Sequence, residues 1–192
     1  MYDNFQKYLD GKIALLQEQS DRIRSLSVVK KLRKHQYLLQ KGDVCRNHAF
    51  VTKGCLRSYS VDGDGVEHTV KFAIENWWIG DRDSLMSGEP AMLNIDAVED
   101  SEVVLLSTKN FDLICQQIPA FNDMVNNLLQ SAYNASQNRI LANISLSAIE
   151  KYEHFLQRYP DLALRIPQGM IASYLGISPE TLSRVRNQLM SR

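Results

Sequence analysis

Near its end the sequence sets Glu180, Thr181, Ser183, Arg184, Asn187 and Gln188 in one short stretch, with Leu182 and Val185 between them. These polar types carry hydrogen-bond donors and acceptors on side chains with reach, which is what reading the edges of DNA base pairs requires. Arg184 suits a bidentate contact to guanine O6 and N7. Glu180, one turn earlier on the same helical face, can accept from a cytosine amino group. Gln168 and Thr181 are better suited to phosphate contacts, which fix register without reading sequence. A helix that only closed a core would expose lysine and glutamate indifferently. The competing reading of the same residues is a helical hairpin that docks on another protein.

Such side chains need a rigid mount. Ser178 is an N-cap type, Pro179 suits the first helical position and Glu180 puts negative charge in the first turn, so a helix is expected from 179 to about 190. From Gln168 onward, apolar residues fall at Ile171, Leu175, Ile177, Leu182 and Val185. Gly176 can supply a sharp turn between two helices crossing at a steep angle, and Ala172 leaves room for the second. Ser178, Pro179 and the polar residues named above are then left facing outward.

Upstream, a helix over about 145–159 carries Ile149, Tyr152, Phe155 and Leu156 on one side and stops before Pro160. Before that, Phe121, Val125, Leu128, Ala132 and Ala135 recur at alternating spacings of four and three, with Asp123 and Arg139 nearly the only charges. That is the seam of a helix packing along a partner helix. A helix lying on its own sheet and a pairing of two chains fit the pattern equally. A homodimer through this seam is the expectation carried forward.

The middle of the chain changes period. "HAFVTKG", "CLRSYSV" and "VEHTVKFA" are short runs rich in β-branched and aromatic residues, with Val66, His68, Val70 and Phe72 on one strand face. "DGDG" at 62–65 supplies the positive φ of a tight hairpin, and further glycines punctuate the stretch. Residues 38–107 therefore read as all β, folded into a sandwich or barrel. The first residues, 5–26, are loosely helical through Leu9, Ile13, Leu16, Ile23 and Leu26.

With 192 residues, 44% of them hydrophobic, the chain can bury a core as one domain or two small ones. It holds no apolar run of about 18 residues and opens on the polar "MYDNFQKYLDGK", so a cytoplasmic protein without membrane association is expected. Cys45, Cys55 and Cys115 form no CxxC pair and read as buried, reduced packing residues. The formal net charge is zero, but the charges are segregated. From Arg22 to Lys41 there are bases and no acid, which reads as a solvated face. From Asp62 to Asp112 acids dominate, and Arg165, Arg184, Arg186 and Arg192 face only Glu180.

At these residues the chain resembles the cyclic-AMP receptor protein and FNR (Crp/Fnr) superfamily of bacterial transcription regulators. Residues 168–189 look like that family's helix-turn-helix, and "SPETLSRV" is similar to its recognition-helix motif. "LQKGD", "FVTKGCLRSYSVDGDGVEHTVKF" and "WWIGD" match its cyclic-nucleotide-binding β-roll. Among members it looks most like the short regulators of Bacteroidetes, which often lack recognised effectors. The resemblance implies an α+β chain in three parts. Residues 1–117 would form a jelly-roll β domain with an N-terminal helix, 118–144 a dimerisation helix and 145–192 a helix-turn-helix domain. It also implies a homodimer on double-stranded DNA with inverted-repeat half-sites, and RNA polymerase as a further partner where binding activates. The sequence marks no surface for the polymerase.

The departures from the family are as telling. Aligned to its pattern, the effector pocket involves Gly80, Asp81, Arg82, Ala91 and Met92, and Ala91 and Met92 stand where an Arg followed by Ser or Thr would neutralise a cyclic phosphate. With acids dominating the surroundings, cyclic AMP is not expected to bind in the usual way. The effector is left unassigned. The first cysteine is Cys45, so the N-terminal cluster of the iron-sulfur members is missing. Pro179 replaces the Arg that often begins the recognition helix, whereas Glu180 and Arg184 match.

The competing class of function is a cupin-like jelly-roll enzyme or small-molecule binder using His35, His48 and His68 with a metal. No His-x-His pair exists, and "DGDG" lacks the closing Glu of an EF-hand loop. The expectation is therefore a non-enzyme with no metal, cofactor or catalytic residue.

Overall fold

Strand pairing, more than local pattern, decides where the β region begins. The computed structural model describes residues 2–190; Met1, Ser191 and Arg192, the last counted among the arginines above, lie outside the described residues. Among the described residues, eight strands form two four-stranded antiparallel sheets. They are β1 (Val28–Leu32), β2 (Tyr37–Leu39), β3 (Asn47–Lys53), β4 (Leu56–Val61), β5 (Glu67–Ala73), β6 (Trp78–Ile79), β7 (Asn94–Ala97) and β8 (Ser101–Ser107). One sheet runs β1-β8-β3-β6 and the other β2-β7-β4-β5. An apolar core that includes Leu56, Ala73, Ile79, Ile95 and Val103 fills this part of the chain.

Two expectations are corrected here. The β region starts at Val28 and not near 38, because β1 pairs with β8 along its whole length, Val28 with Leu105 through Leu32 with Ser101. The basic run that masked it is divided between a helix, this strand, which carries Lys30 and Lys31, and the turns that hold Arg33, Lys34 and Lys41. The stretch 38–107 also contains a helix, α3 (Arg82–Ser87), capped by the Asp81 carboxylate accepting from the Ser84 amide and ended by left-handed Gly88.

The "DGDG" hairpin forms as expected. Gly65 has φ +82°, and Asp62 Oδ1 accepts from the amides of Asp64 and Val66. The expected strand face does not survive. Ser58 pairs with Lys71 while Tyr59 pairs with Thr69, so Val70 is bulged out of the ladder. Val66, His68 and Val70 are exposed, while Thr69, Phe72 and Ala73 are buried.

The N-terminal segment is two helices, α1 (Tyr2–Asp10) and α2 (Gln17–Leu26). Phe5, Leu9 and Ile23 pack with Phe50, Phe111 and Phe121 into a second cluster. Beyond the sheets come α4 (Thr108–Gln117), α5 (Pro119–Ser145), α6 (Ala148–Arg158), α7 (Leu162–Arg165), α8 (Gln168–Leu175) and α9 (Pro179–Met190). A capping box starts α6: the Ser147 hydroxyl accepts from the Glu150 amide, and the Glu150 carboxylate accepts from the Ser147 amide. The C-terminal helices do not stand apart. Cys55, Phe72 and Val98 of the β part share one apolar cluster with Phe155, Leu162 and Ile171.

Candidate nucleic-acid interface

The mount for the polar stretch is built as its residue types require. Ile171, Ala172 and Leu175 of α8 are buried against Leu182 and Val185 of α9, with Tyr152 and Phe155 of α6 behind them. Gly176 ends α8 in the left-handed conformation, φ 65° and ψ 37°, where its amide and that of Ile177 bond back to the last turn. The Ser178 hydroxyl accepts from the Thr181 amide at 3.2 Å, the N-cap bond that starts α9.

That anchoring orients everything else outward. Ser178, Pro179, Glu180, Ser183, Arg184, Asn187 and Gln188 are exposed, and Thr181 is half-buried. The Arg184 guanidinium lies 3.3 Å from Thr181 Oγ1, one turn back. Hydrogen bonding at its own backbone and to Ser178 holds the Glu180 carboxyl below the usual carboxylate range, so it is an ionised acceptor at neutral pH. Gln168 begins α8 half-buried, and its Oε1 is buried with no hydrogen-bond partner among the described residues. Of the two amide atoms only Nε2 can donate to a phosphate.

Sequence reasoning did not identify the residues that hold this head to the body. Ser173 on α8 bonds the backbone of β5, the edge strand of its sheet, donating to the Glu67 carbonyl and accepting from the Thr69 amide. Arg139 of α5 donates to the carbonyls of Val70 and Thr69 and stands over the Tyr174 ring, 4.4 Å from its centroid. Arg165 makes a two-pronged ion pair with Glu75, at 2.9 and 3.0 Å, and also bonds Glu99. A lone polar residue inside an apolar helix was the only available signal for Ser173.

The expected pairing seam is partly occupied within the chain. Phe121 is fully buried, and Val125 and Leu128 pack on the cluster around α1 and α4. Ala132 and Ala135 face a cavity between α5 and the body. A neighbouring strip of the same helix stands open instead: Tyr133 is 60% exposed, Ile140 49% and Ile144 79%.

The cyclic nucleotide-binding domain family matches residues 29–118. The regulatory protein HlyX of Actinobacillus pleuropneumoniae is 26% identical over 170 residues, covering 81% of this chain and 69% of that protein. FixK2 from Bradyrhizobium japonicum shares the fold at 21% identity and a TM-score of 0.76, covering 86% of this chain and 85% of that one. A structure from Eubacterium rectale assigned to the crp/fnr family does so at 18% identity and 0.73, covering 96% and 88%. Residues 29–118 form a cyclic nucleotide-binding domain, and over most of its length the chain is similar to transcription regulators of the Crp/Fnr superfamily. Its fold is theirs: an antiparallel β domain, a long helix and a C-terminal helix-turn-helix.

Within this Crp/Fnr fold the effector-pocket candidates are already engaged. Ala91 is 2% exposed in the apolar core, its amide donates to the Asp43 carbonyl and its carbonyl accepts from the Gly42 amide. Asp81 is buried, its carboxylate accepting from the amides of Ser84 and Leu93. Gly80 faces Leu85, Met92 is 65% exposed and Arg82 is exposed on α3. The histidines are equally dispersed. His48 stacks on Phe111 at 3.8 Å, where burial pulls its pKa down to about 4, and His68 bonds Asp62. His35 sits in a turn at φ 65°. All three thiols are free, and burial raises each above its ordinary pKa. Among the described residues no helix is long and apolar enough to cross a membrane.

Proposed function

We propose that this chain is a homodimeric, sequence-specific DNA-binding regulator whose α9 enters the major groove once per subunit. The observation that carries this reading is the division of α9 into a buried apolar side, Leu182 and Val185, and an exposed polar side led by Glu180 and Arg184. Arg184 reads guanine, Glu180 accepts from cytosine, and Gln168 and Thr181 contact phosphate. Ser178, Pro179, Ser183, Asn187 and Gln188 border the same surface. Selection of binding sites from random DNA tests it: an inverted repeat with half-sites about 34 Å apart is expected.

The division at 1–117, 118–144 and 145–192 is kept as body, pairing helix and head. Pairing runs along Tyr133, Ile140 and Ile144, because Phe121 and Leu128 are engaged within the chain. Cyclic AMP is not the effector through a phosphate-binding Arg, since Ala91 is a core residue whose backbone groups are already bonded. Contact with RNA polymerase is part of the proposal only where DNA binding activates.

A further inference from the structure

A cavity of about 730 Å³ opens between α5, the Trp77–Trp78 corner, α1 and the head. Its volume is that of a small-molecule site. None of Gly80, Asp81, Arg82, Ala91 and Met92 lines it, so it is separate from the pocket that the family resemblance implies.

Its lining is one-sided in charge. Lys12, Lys71, Arg139 and Arg158 face it and no aspartate or glutamate does. Among the described residues none of these four makes a salt bridge. Lys71 donates to the Trp78 carbonyl, and Arg139 is held by backbone carbonyls. Burial, and then the neighbouring charge of Arg158, lower the pKa of Lys71. Grouped cations with no acid between them leave a demand for negative charge. Trp77, Trp78, Tyr159 and Tyr174 also line it, alongside aliphatic and small polar residues of α5, with Arg158 5.6 Å from the Trp77 centroid.

We propose that this cavity binds a small aromatic anion, with the ring lying among Trp77, Tyr159 and Tyr174 and the anionic group on Lys71 and Arg158. A carboxylate and a phosphate satisfy the same cations. Because the body, α5 and the head each contribute a wall, an occupant bridges parts that must move together or apart. That regulatory meaning rests on the DNA-binding reading. Binding itself does not, and is measured without DNA.

The test titrates the full chain with 8-anilinonaphthalene-1-sulfonate, and with N-phenyl-1-naphthylamine as its uncharged relative, by calorimetry and by tryptophan energy transfer. One site per chain is expected, at least about ten-fold weaker for the uncharged dye and at least about ten-fold weaker in Lys71→Met or Arg158→Gln, with Lys31→Gln unchanged. Thermal melts identify any variant that fails to fold; Lys12→Gln, at an exposed position, provides a further variant expected to weaken binding. Displacement by indole-3-carboxylate or by adenosine 5′-monophosphate supports the site and assigns its anion. Equal binding of the two dyes, unchanged affinity in folded cation variants, or displacement by neither competitor overturns the proposal.

Discussion

The backbone amide of Thr69 donates to the hydroxyl of Ser173 at 2.8 Å, across 104 positions of sequence. The same hydroxyl donates to the Glu67 carbonyl at 2.8 Å. One serine thus gives the outer edge of β5 a partner that belongs to the head. Ser173→Ala should weaken docking by about 0.5–1.5 kcal/mol, the net worth of such bonds. Hydrogen exchange should register it as faster exchange of the Thr69 amide with core amides of β4 unchanged. Equal acceleration throughout the sheet would mean that the contact serves global stability instead.

Arg165 makes the docking sensitive to acid. Burial alone would raise the pKa of Glu75, but hydrogen bonds from Arg165 and the Gly54 amide, with the Arg165 charge, hold it below the usual 4.5. A carboxylate lowered in the folded state stabilises above its unfolded pKa, and that stabilisation is lost as pH falls through the folded value. Melting of the wild type and of Arg165→Gln should therefore differ at neutral pH and converge below about pH 4.5. A difference independent of pH would locate the effect in packing.

Arg184→Ala should cost roughly 1–3 kcal/mol on the selected site and relax preference at one base pair, while weakening non-specific binding far less. Competition binding at several salt concentrations separates the outcomes. Uniform weakening with a shallower salt dependence would make Arg184 a phosphate contact and pass base reading to Glu180, Ser183 or Asn187.

Ile140→Glu should convert the dimer to monomer in sedimentation equilibrium, because it places an unpaired charge on the exposed strip of α5. Leu128→Glu should instead lower the melting temperature, since Leu128 packs within its own chain. Dimer loss from Leu128→Glu at an unchanged melting temperature would return the pairing seam to the alternating set that ends at Ala135.

Cyclic AMP should not bind through the Ala91–Met92 segment, so any saturable heat or tryptophan signal it gives at micromolar concentration should be lost in Lys71→Met or Arg158→Gln, which alter the separate cavity. Introducing Arg by Ala91→Arg alone should not create phosphate binding, since the side chain would enter an apolar core. A micromolar constant retained in both cavity variants would show that another route to the phosphate exists.

Much of the head was legible because its signals are local. Gly176, Ser178 and Pro179 each answer to backbone geometry within a few residues, as do "DGDG" and the Ser147–Glu150 cap. The long-range facts were hidden for physical reasons. Val28 to Leu32 is a strand because β8 lies beside it, and its lysines carry no trace of that partner. The spacing from Phe121 to Ala135 defines a face of α5 without naming what covers it, and part of it meets the chain's own body. Val70 leaves its expected face through a bulge that depends on β4. Ser173 makes sense only against an edge strand 104 residues earlier in sequence.

The same edge gives the docked head a second significance. When Ser173 and Arg139 withdraw, β5 is left at the rim of its sheet with amides and carbonyls bare, beside exposed Val66 and Val70. Such a rim invites a strand from another molecule. Release of the head is thus coupled to the risk of self-association. Variants that undock should turn cloudy with rising protein concentration, unless DNA or a second subunit captures the released head first.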